Sequence, residues 1–226
     1  MIGSEFVDAA GSRLPNNMIT AVDALARLRE GNRRFVENES ATSAALSSAR
    51  RAELLAGQEP FAIVLGCSDS RVPAEFVFDQ GLGDLFVIRV AGNIVAPSQV
   101  GSVEFAATRF DTRLVVVMGH SQCGAIQATL EDVLGRSSTE SKNLRSIVDR
   151  VRPSIETMLS RRDETDLDVL MRDAVRANVR ASVDHLRHGS ELIEELVRSD
   201  GLLVVGAEYS LETGAVTFFD GVPNAG

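Results

Sequence analysis

The chain is 226 residues long, 44% hydrophobic and 24% charged, with a formal net charge of −9 and a pI near 4.9. Such a length and balance suit one globular domain with a substantial core. The acidic excess argues against nucleic acid or an anionic membrane surface as the main partner, since neither would meet a basic face. No apolar run approaches the roughly 20 residues that span a bilayer, and residues 1–20 lack the basic and apolar stretches of a secretory leader, so a cytoplasmic location is expected.

Residues 1–19 read as a disordered segment or arm, in which Gly3-Ser4-Glu5-Phe6 has the look of vector-derived sequence, and residues 20–226 as a single domain. From Thr20 to Glu37, Val22, Leu25, Leu28 and Phe35 recur on one helical face among Arg and Glu, which predicts an amphipathic helix. Residues 40–48 are small and polar and predict a loop; a second helix over 49–56 is broken by Gly57-Gln58-Glu59-Pro60. Short runs rich in β-branched residues predict strands at 61–66, 85–90, 114–118 and 202–206. Between them fall a short helix at 73–78 with proline in its first turn, a helix at 98–110, and one from 124 that stops at Gly135. A helical region from about 143 to 199 carries the apolar stripe Val175, Val179, Val183 and Leu186. Residues 209–219, with Glu212-Thr213-Gly214 between apolar arms, predict a terminal hairpin. Strands alternating with helices imply right-handed βαβ units, hence an α/β fold with a mostly parallel central sheet flanked by helices.

The chain's only two cysteines lie in two short motifs, Cys67-Ser68-Asp69-Ser70-Arg71 and His120-Ser121-Gln122-Cys123-Gly124. Each motif directly follows a predicted strand, at the carboxyl end, where open α/β sheets hold their ligands. Two thiolates and one imidazole suit zinc and leave a tetrahedral ion one exchangeable position, the catalytic rather than the structural arrangement. Cys67 and His120 are too far apart for a local zinc finger, so only neighbouring strands can unite them. Cys123 falls at the start of a helix, whose positive end favours a thiolate, and Gly124 frees an N–H for an anion. Asp69 stands two residues from Cys67 and can itself reach the metal as a fourth ligand, while Arg71 can draw it away by a bidentate ion pair. The alternatives are a pair of buried cysteines beside a core histidine, a Cys67–Cys123 disulfide, which a reducing compartment disfavours, and a non-catalytic zinc module closed by Asp69.

These motifs resemble the signature of the β-class carbonic anhydrases. Gly31-Asn32-Arg33-Arg34-Phe35, Asp79-Gln80-Gly81-Leu82-Gly83-Asp84, Arg89-Val90-Ala91-Gly92-Asn93 and Gly101-Ser102-Val103-Glu104-Phe105 resemble further family segments in family order. The resemblance implies a Zn2+ enzyme that interconverts carbon dioxide and bicarbonate by attack of zinc-bound hydroxide, with Cys67, His120 and Cys123 as ligands and Asp69 and Arg71 as a catalytic dyad. It also implies a homodimer or dimer-based tetramer with its active site at the subunit interface. Gln58 matches a substrate-binding glutamine of the plant-like subgroup and Phe86 an aromatic pocket wall, both reaching across from the neighbouring subunit; Gly124 N–H would face the anion. Phe105 stands where the plant-like pocket has tyrosine, so a hydroxyl is lost there. Val64 stands where a second subgroup has the tryptophan of an allosteric bicarbonate site, which argues against that form of inhibition. Hydrolysis of carbonyl sulfide or carbon disulfide by the same hydroxide is the alternative activity. His185 and His188 read as surface residues rather than proton relays.

Overall fold

The apolar runs are too short for stable helices, and their β-branched side chains favour pleated, packed backbone. The computed structural model describes residues 19–40, 47–137, 141–161 and 166–223. Residues 1–18 of the arm predicted at 1–19, most of the 40–48 loop and residues 138–140, 162–165 and 224–226 lie outside that range. Strands β1 (Ala62–Gly66), β2 (Leu85–Arg89), β3 (Leu114–His120), β4 (Leu203–Tyr209) and β5 (Val216–Asp220) form one sheet in the order β2-β1-β3-β4-β5. The first four are parallel and β5 pairs antiparallel with β4, so the α/β class with a mostly parallel sheet is the observed one. Every residue of β1 and β3 is buried, which is why these strands read as continuous apolar runs rather than alternating ones.

The helices are α1 (Ala21–Val36), α2 (Ser48–Glu53), α3 (Ala74–Val77), α4 (Pro97–Arg109), α5 (Gly124–Val133), α6 (Lys142–Leu159), α7 (Leu167–His188) and α8 (Glu191–Ser199). Helices α1 and α3 pack on one face of the sheet through Leu25, Leu28 and Val77 against Val64, Val116 and Val205. Helices α4, α7 and α8 cover the other face, with Val103, Val179, Val183 and Ile193 against Ile63, Val115 and Val204. No described helix is long and apolar enough to cross a membrane.

Three expectations change. Val22 is 57% exposed; the packed face of α1 runs instead through Ala21, Ala24, Leu25, Leu28, Gly31 and Asn32. Small residues carry that face because the helix lies so close to its neighbour: a Cβ on Gly31 would sit 1.8 Å from the Phe78 carbonyl oxygen. Strand β3 runs two residues past the predicted end, to His120, because β4 continues beside it and pairs His120 with Tyr209. That same extension makes β4 the first arm of the predicted hairpin rather than a separate strand.

The chain leaves β1 for β2 on one side and returns to β3 on the other, which places a topological switch point between β1 and β3. Gly66 is paired with Met118. Cys67 and His120 therefore emerge beside each other at the carboxyl edge, in the crevice where such sheets place their ligands.

Candidate metal centre

Each ligand-type side chain is delivered by an element end. Cys67 follows the last residue of β1, and His120 closes β3. Between His120 and Cys123 the chain turns through Gln122, whose φ of 55° is a left-handed conformation uncommon for a residue with a side chain. Cys123 is then the N-cap of α5 and makes no side-chain capping bond there, leaving its sulfur free to face inward. The Cys67, His120 and Cys123 ligand atoms lie within 4.8 Å of one another, and all three residues are buried.

One donor atom of the trio is left without a hydrogen-bond partner among the described residues. His120 Nδ1 is 2.9 Å from the Ser121 carbonyl oxygen, which as an acceptor requires the proton on Nδ1 and leaves the Nε2 lone pair available. Nε2 is buried and has no hydrogen-bond partner among the described residues. A buried imidazole nitrogen left so costs about 1–3 kcal/mol unless something electrophilic meets it. With two sulfurs beside it, the donor set is soft and fits zinc. The two Sγ atoms are 3.9 Å apart. A hydrogen bond from Cys123, aided by the backbone N–H groups of Asp69 and Gly92, draws the Cys67 thiol well below the ordinary thiol range despite burial. The same contact, together with burial, pushes Cys123 well above the ordinary thiol range. One thiolate forms readily; the second waits for a cation.

The pH dependence of metal binding follows from that inequality. Cys67 is the thiol drawn down and Cys123 the one pushed up, so Cys123 is the one that keeps a proton for zinc to displace. Zinc affinity is therefore expected to rise about tenfold per pH unit between about pH 7 and pH 8.5, with one proton released per ion. Chelator competition at several pH values checks the slope. A pH-independent affinity would show that no thiol proton is displaced, and a hundredfold rise per unit that two are.

Asp69 and Arg71 meet as the sequence suggests. Arg71 donates from its backbone N–H and from Nε to Asp69 Oδ1, both at 2.9 Å, and from Nη2 to Oδ2 at 2.7 Å. The Arg71 hydrogen bond chiefly, against the opposing effect of burial, holds the Asp69 carboxyl well below the usual carboxylate range. Asp69 Oδ2 lies 4.0 Å from His120 Nε2, so the carboxylate borders the ligand trio while its oxygens are committed to Arg71.

The remaining site residues divide. Gly124 opens α5 exposed, with no atom within 4 Å of where a Cβ would sit, so space is open beside its N–H. Phe86 on β2 and Phe105 on α4 pack with Phe110 at ring-centroid distances of 5.6–6.2 Å. That cluster sits at the sheet's β2 edge, apart from the packing of Cys67 and Cys123 with Ile94 and Ile126. Phe105 is 53% exposed. Gln58 is also exposed, in the segment before β1, with no hydrogen bond to the ligand trio among the described residues. Within one chain, then, the centre gathers Cys67, His120, Cys123, Asp69 and Arg71 but not Gln58, Phe86 or Phe105. His185 and His188 are exposed, the latter 3.6 Å from Asp184.

Two residues with no role assigned from sequence brace the centre. Arg89 Nε donates to the Cys67 carbonyl at 2.9 Å, and Nη2 bonds the Asp69 carbonyl, fixing the loop that carries both side chains. Gly92 donates its N–H to Cys67 Sγ at 3.4 Å. The signal for Arg89 was a cation at the carboxyl end of the strand next to β1; for Gly92, a glycine in the turn that follows.

Residues 62–216 match the family model described as carbonic anhydrase. The chain is 38% identical over 213 residues to carbonic anhydrase 2 of Mycobacterium tuberculosis, covering 94% of this chain and 99% of that one. It is 39% identical over 207 residues to a carbonic anhydrase of Mycolicibacterium smegmatis, covering 90% and 94%. Among solved structures it is similar to a tetrameric β-carbonic anhydrase of Sordaria macrospora, with a TM-score of 0.68, 25% identity and coverage of 75% and 85%. The buried Cys-His-Cys trio at the switch point of a β2-β1-β3-β4-β5 sheet and a family match across most of the chain agree, and the chain belongs to the β-carbonic anhydrase family.

Proposed function

We propose that this chain catalyses the reversible hydration of carbon dioxide to bicarbonate and a proton, using a zinc ion held by Cys67, His120 and Cys123. The observation that carries the reading is the buried Nε2 of His120, without a hydrogen-bond partner among the described residues, beside two thiols, with the neighbouring carboxylate drawn aside by Arg71. Zinc, when bound, supplies a nucleophilic hydroxide from water near neutral pH. Asp69, kept ionised by Arg71, accepts a hydrogen bond from the attacking oxygen and orients it. The same ion pair would keep Asp69 from joining Cys67, His120 and Cys123 as a further ligand. Gly124 N–H, at the positive end of α5, faces the product anion.

The substrate pocket is proposed to be completed by a second copy of the chain. Gln58 and Phe105 are exposed and lie outside the packing of their own metal centre, which fits residues that serve a neighbour's site. In that arrangement Gln58 stabilises charge developing on the substrate oxygen, and Phe86 and Phe105 wall an apolar space for carbon dioxide. A homodimer is the smallest such assembly; a dimer-based tetramer is compatible with it, and the Sordaria relative is tetrameric.

Carbonyl sulfide is the competing substrate for the same nucleophile. Turnover of the zinc-loaded protein on carbon dioxide and on carbonyl sulfide, measured side by side, separates the two. Carbon dioxide is expected to be preferred, and a larger kcat/KM for carbonyl sulfide would overturn the assignment.

A further inference from the structure

Residues 91–93 form a 3₁₀ turn after β2 in which Gly92 has φ 69° and Asn93 φ 43°. Two successive left-handed residues, one of them carrying a side chain, persist only where the surroundings impose them. Within the turn the Asn93 backbone N–H donates to the Val90 carbonyl at 3.0 Å, while Asn93 Nδ2 is buried with no partner among the described residues. What it delivers is the Gly92 N–H, aimed at the Cys67 sulfur.

Helix α7 supplies the restraint. Asn178 Nδ2 donates to the Gly92 carbonyl at 2.8 Å, and Ser182 Oγ donates to the Asn93 carbonyl at 3.2 Å. These residues are 2% and 5% exposed and four apart, hence one above the other on the same helix face. Their reach depends on a close approach of α7 to the sheet. A Cβ on Gly119 would lie 2.7 Å from Val179 Cγ2, and one on Gly206 would lie 2.9 Å from Val179 Cγ1. The two glycines therefore let the valine stripe of α7 rest directly on β3 and β4. An Asn and a Ser interrupt an otherwise apolar face there, where aliphatic side chains would serve packing alone.

We infer that Asn178 and Ser182 are positioning residues for the metal centre. They hold the 91–93 turn so that Gly92 N–H donates to Cys67, fixing that sulfur's orientation and tempering the charge it gives the metal. Hydrogen bonds of this kind, one layer out from the ligands, tune both affinity and metal electronics. The inference rests on the proposed role of Cys67 as a zinc ligand.

The test compares Asn178→Ala with Thr112→Val. The latter removes an equally buried bond, Thr112 Oγ1 to the Pro60 carbonyl at 2.7 Å, remote from the centre. Zinc affinity is read by chelator competition, and the thiolate-to-cobalt charge-transfer band is read on cobalt-substituted protein. Asn178→Ala, which acts through Gly92, is expected to lose about 10-fold in zinc affinity, the low end of the range for groups that bond the ligands directly, and to shift the cobalt band, while Thr112→Val leaves both unchanged. Equal affinity and an unshifted band in Asn178→Ala, or equal losses in the two variants, would overturn the inference. Should Asn178→Ala not fold, Ser182→Ala decides on the same two readouts, with a smaller loss expected and none contradicting. A parent protein that takes up neither metal would instead refute the zinc reading itself.

Discussion

Cys67→Ser is expected to lose zinc and carbon dioxide hydration together. The substitution nearly preserves shape but replaces a soft, readily ionised sulfur by a hydroxyl that stays protonated at neutral pH and is a poor zinc ligand. The remaining donors, His120 and Cys123, include the thiol that resists ionisation, so the variant keeps the worse half of the pair. Zinc affinity is expected to fall by more than the roughly 100-fold that changes one layer out from the ligands cause. Thermal unfolding gives an independent reading. Zinc at about a hundred times its dissociation constant adds about 2.7 kcal/mol to the stability of the parent, and that zinc-dependent rise in Tm is expected to vanish in the variant. One zinc per chain and undiminished turnover in Cys67→Ser would remove Cys67 from the ligand set.

Asp69→Asn is expected to separate binding from turnover. The carboxylate is bound by three donors of Arg71, so zinc retention is expected not to depend on it. The amide cannot satisfy the guanidinium fork with two acceptor oxygens, and one of its faces now presents N–H groups to Arg71. The side chain loses both its charge and its fixed orientation towards the attacking oxygen. Zinc is expected to remain near one per chain while kcat/KM falls roughly 10- to 100-fold. Full activity with zinc bound would make the Asp69–Arg71 pair a structural ion pair only, and loss of zinc would make Asp69 a ligand.

Much of this was legible in the sequence because the decisive residues sit at element ends. Strands β1 and β3 announce themselves as buried β-branched runs, and the motifs begin where those runs stop. A parallel sheet with a switch point then brings Cys67 to His120 whatever the details of the intervening helices. Legibility failed where tertiary contact, not local pattern, decides. Val22 has the right spacing for the α1 core face yet is exposed, because close packing on Phe78 selects Gly31 and the alanines. The β3 end at His120 depends on pairing with Tyr209, far away in the chain. Arg89 acts on backbone carbonyls and Gly92 through its own N–H, and backbone groups leave no mark of their partners in sequence. Asn178 and Ser182 did leave a trace, as polar residues on the apolar face marked by Val175, Val179 and Val183. Their partners, however, are carbonyls more than 80 residues upstream, beyond the reach of periodicity.

Stopped-flow hydration of carbon dioxide by the zinc-loaded protein, from mildly acidic to clearly alkaline pH, bears most directly on the proposed chemistry. Rapid turnover in proportion to zinc content, rising with pH as the nucleophilic hydroxide becomes available, is the expected result. No hydration at any pH, with one zinc per chain confirmed, would contradict it.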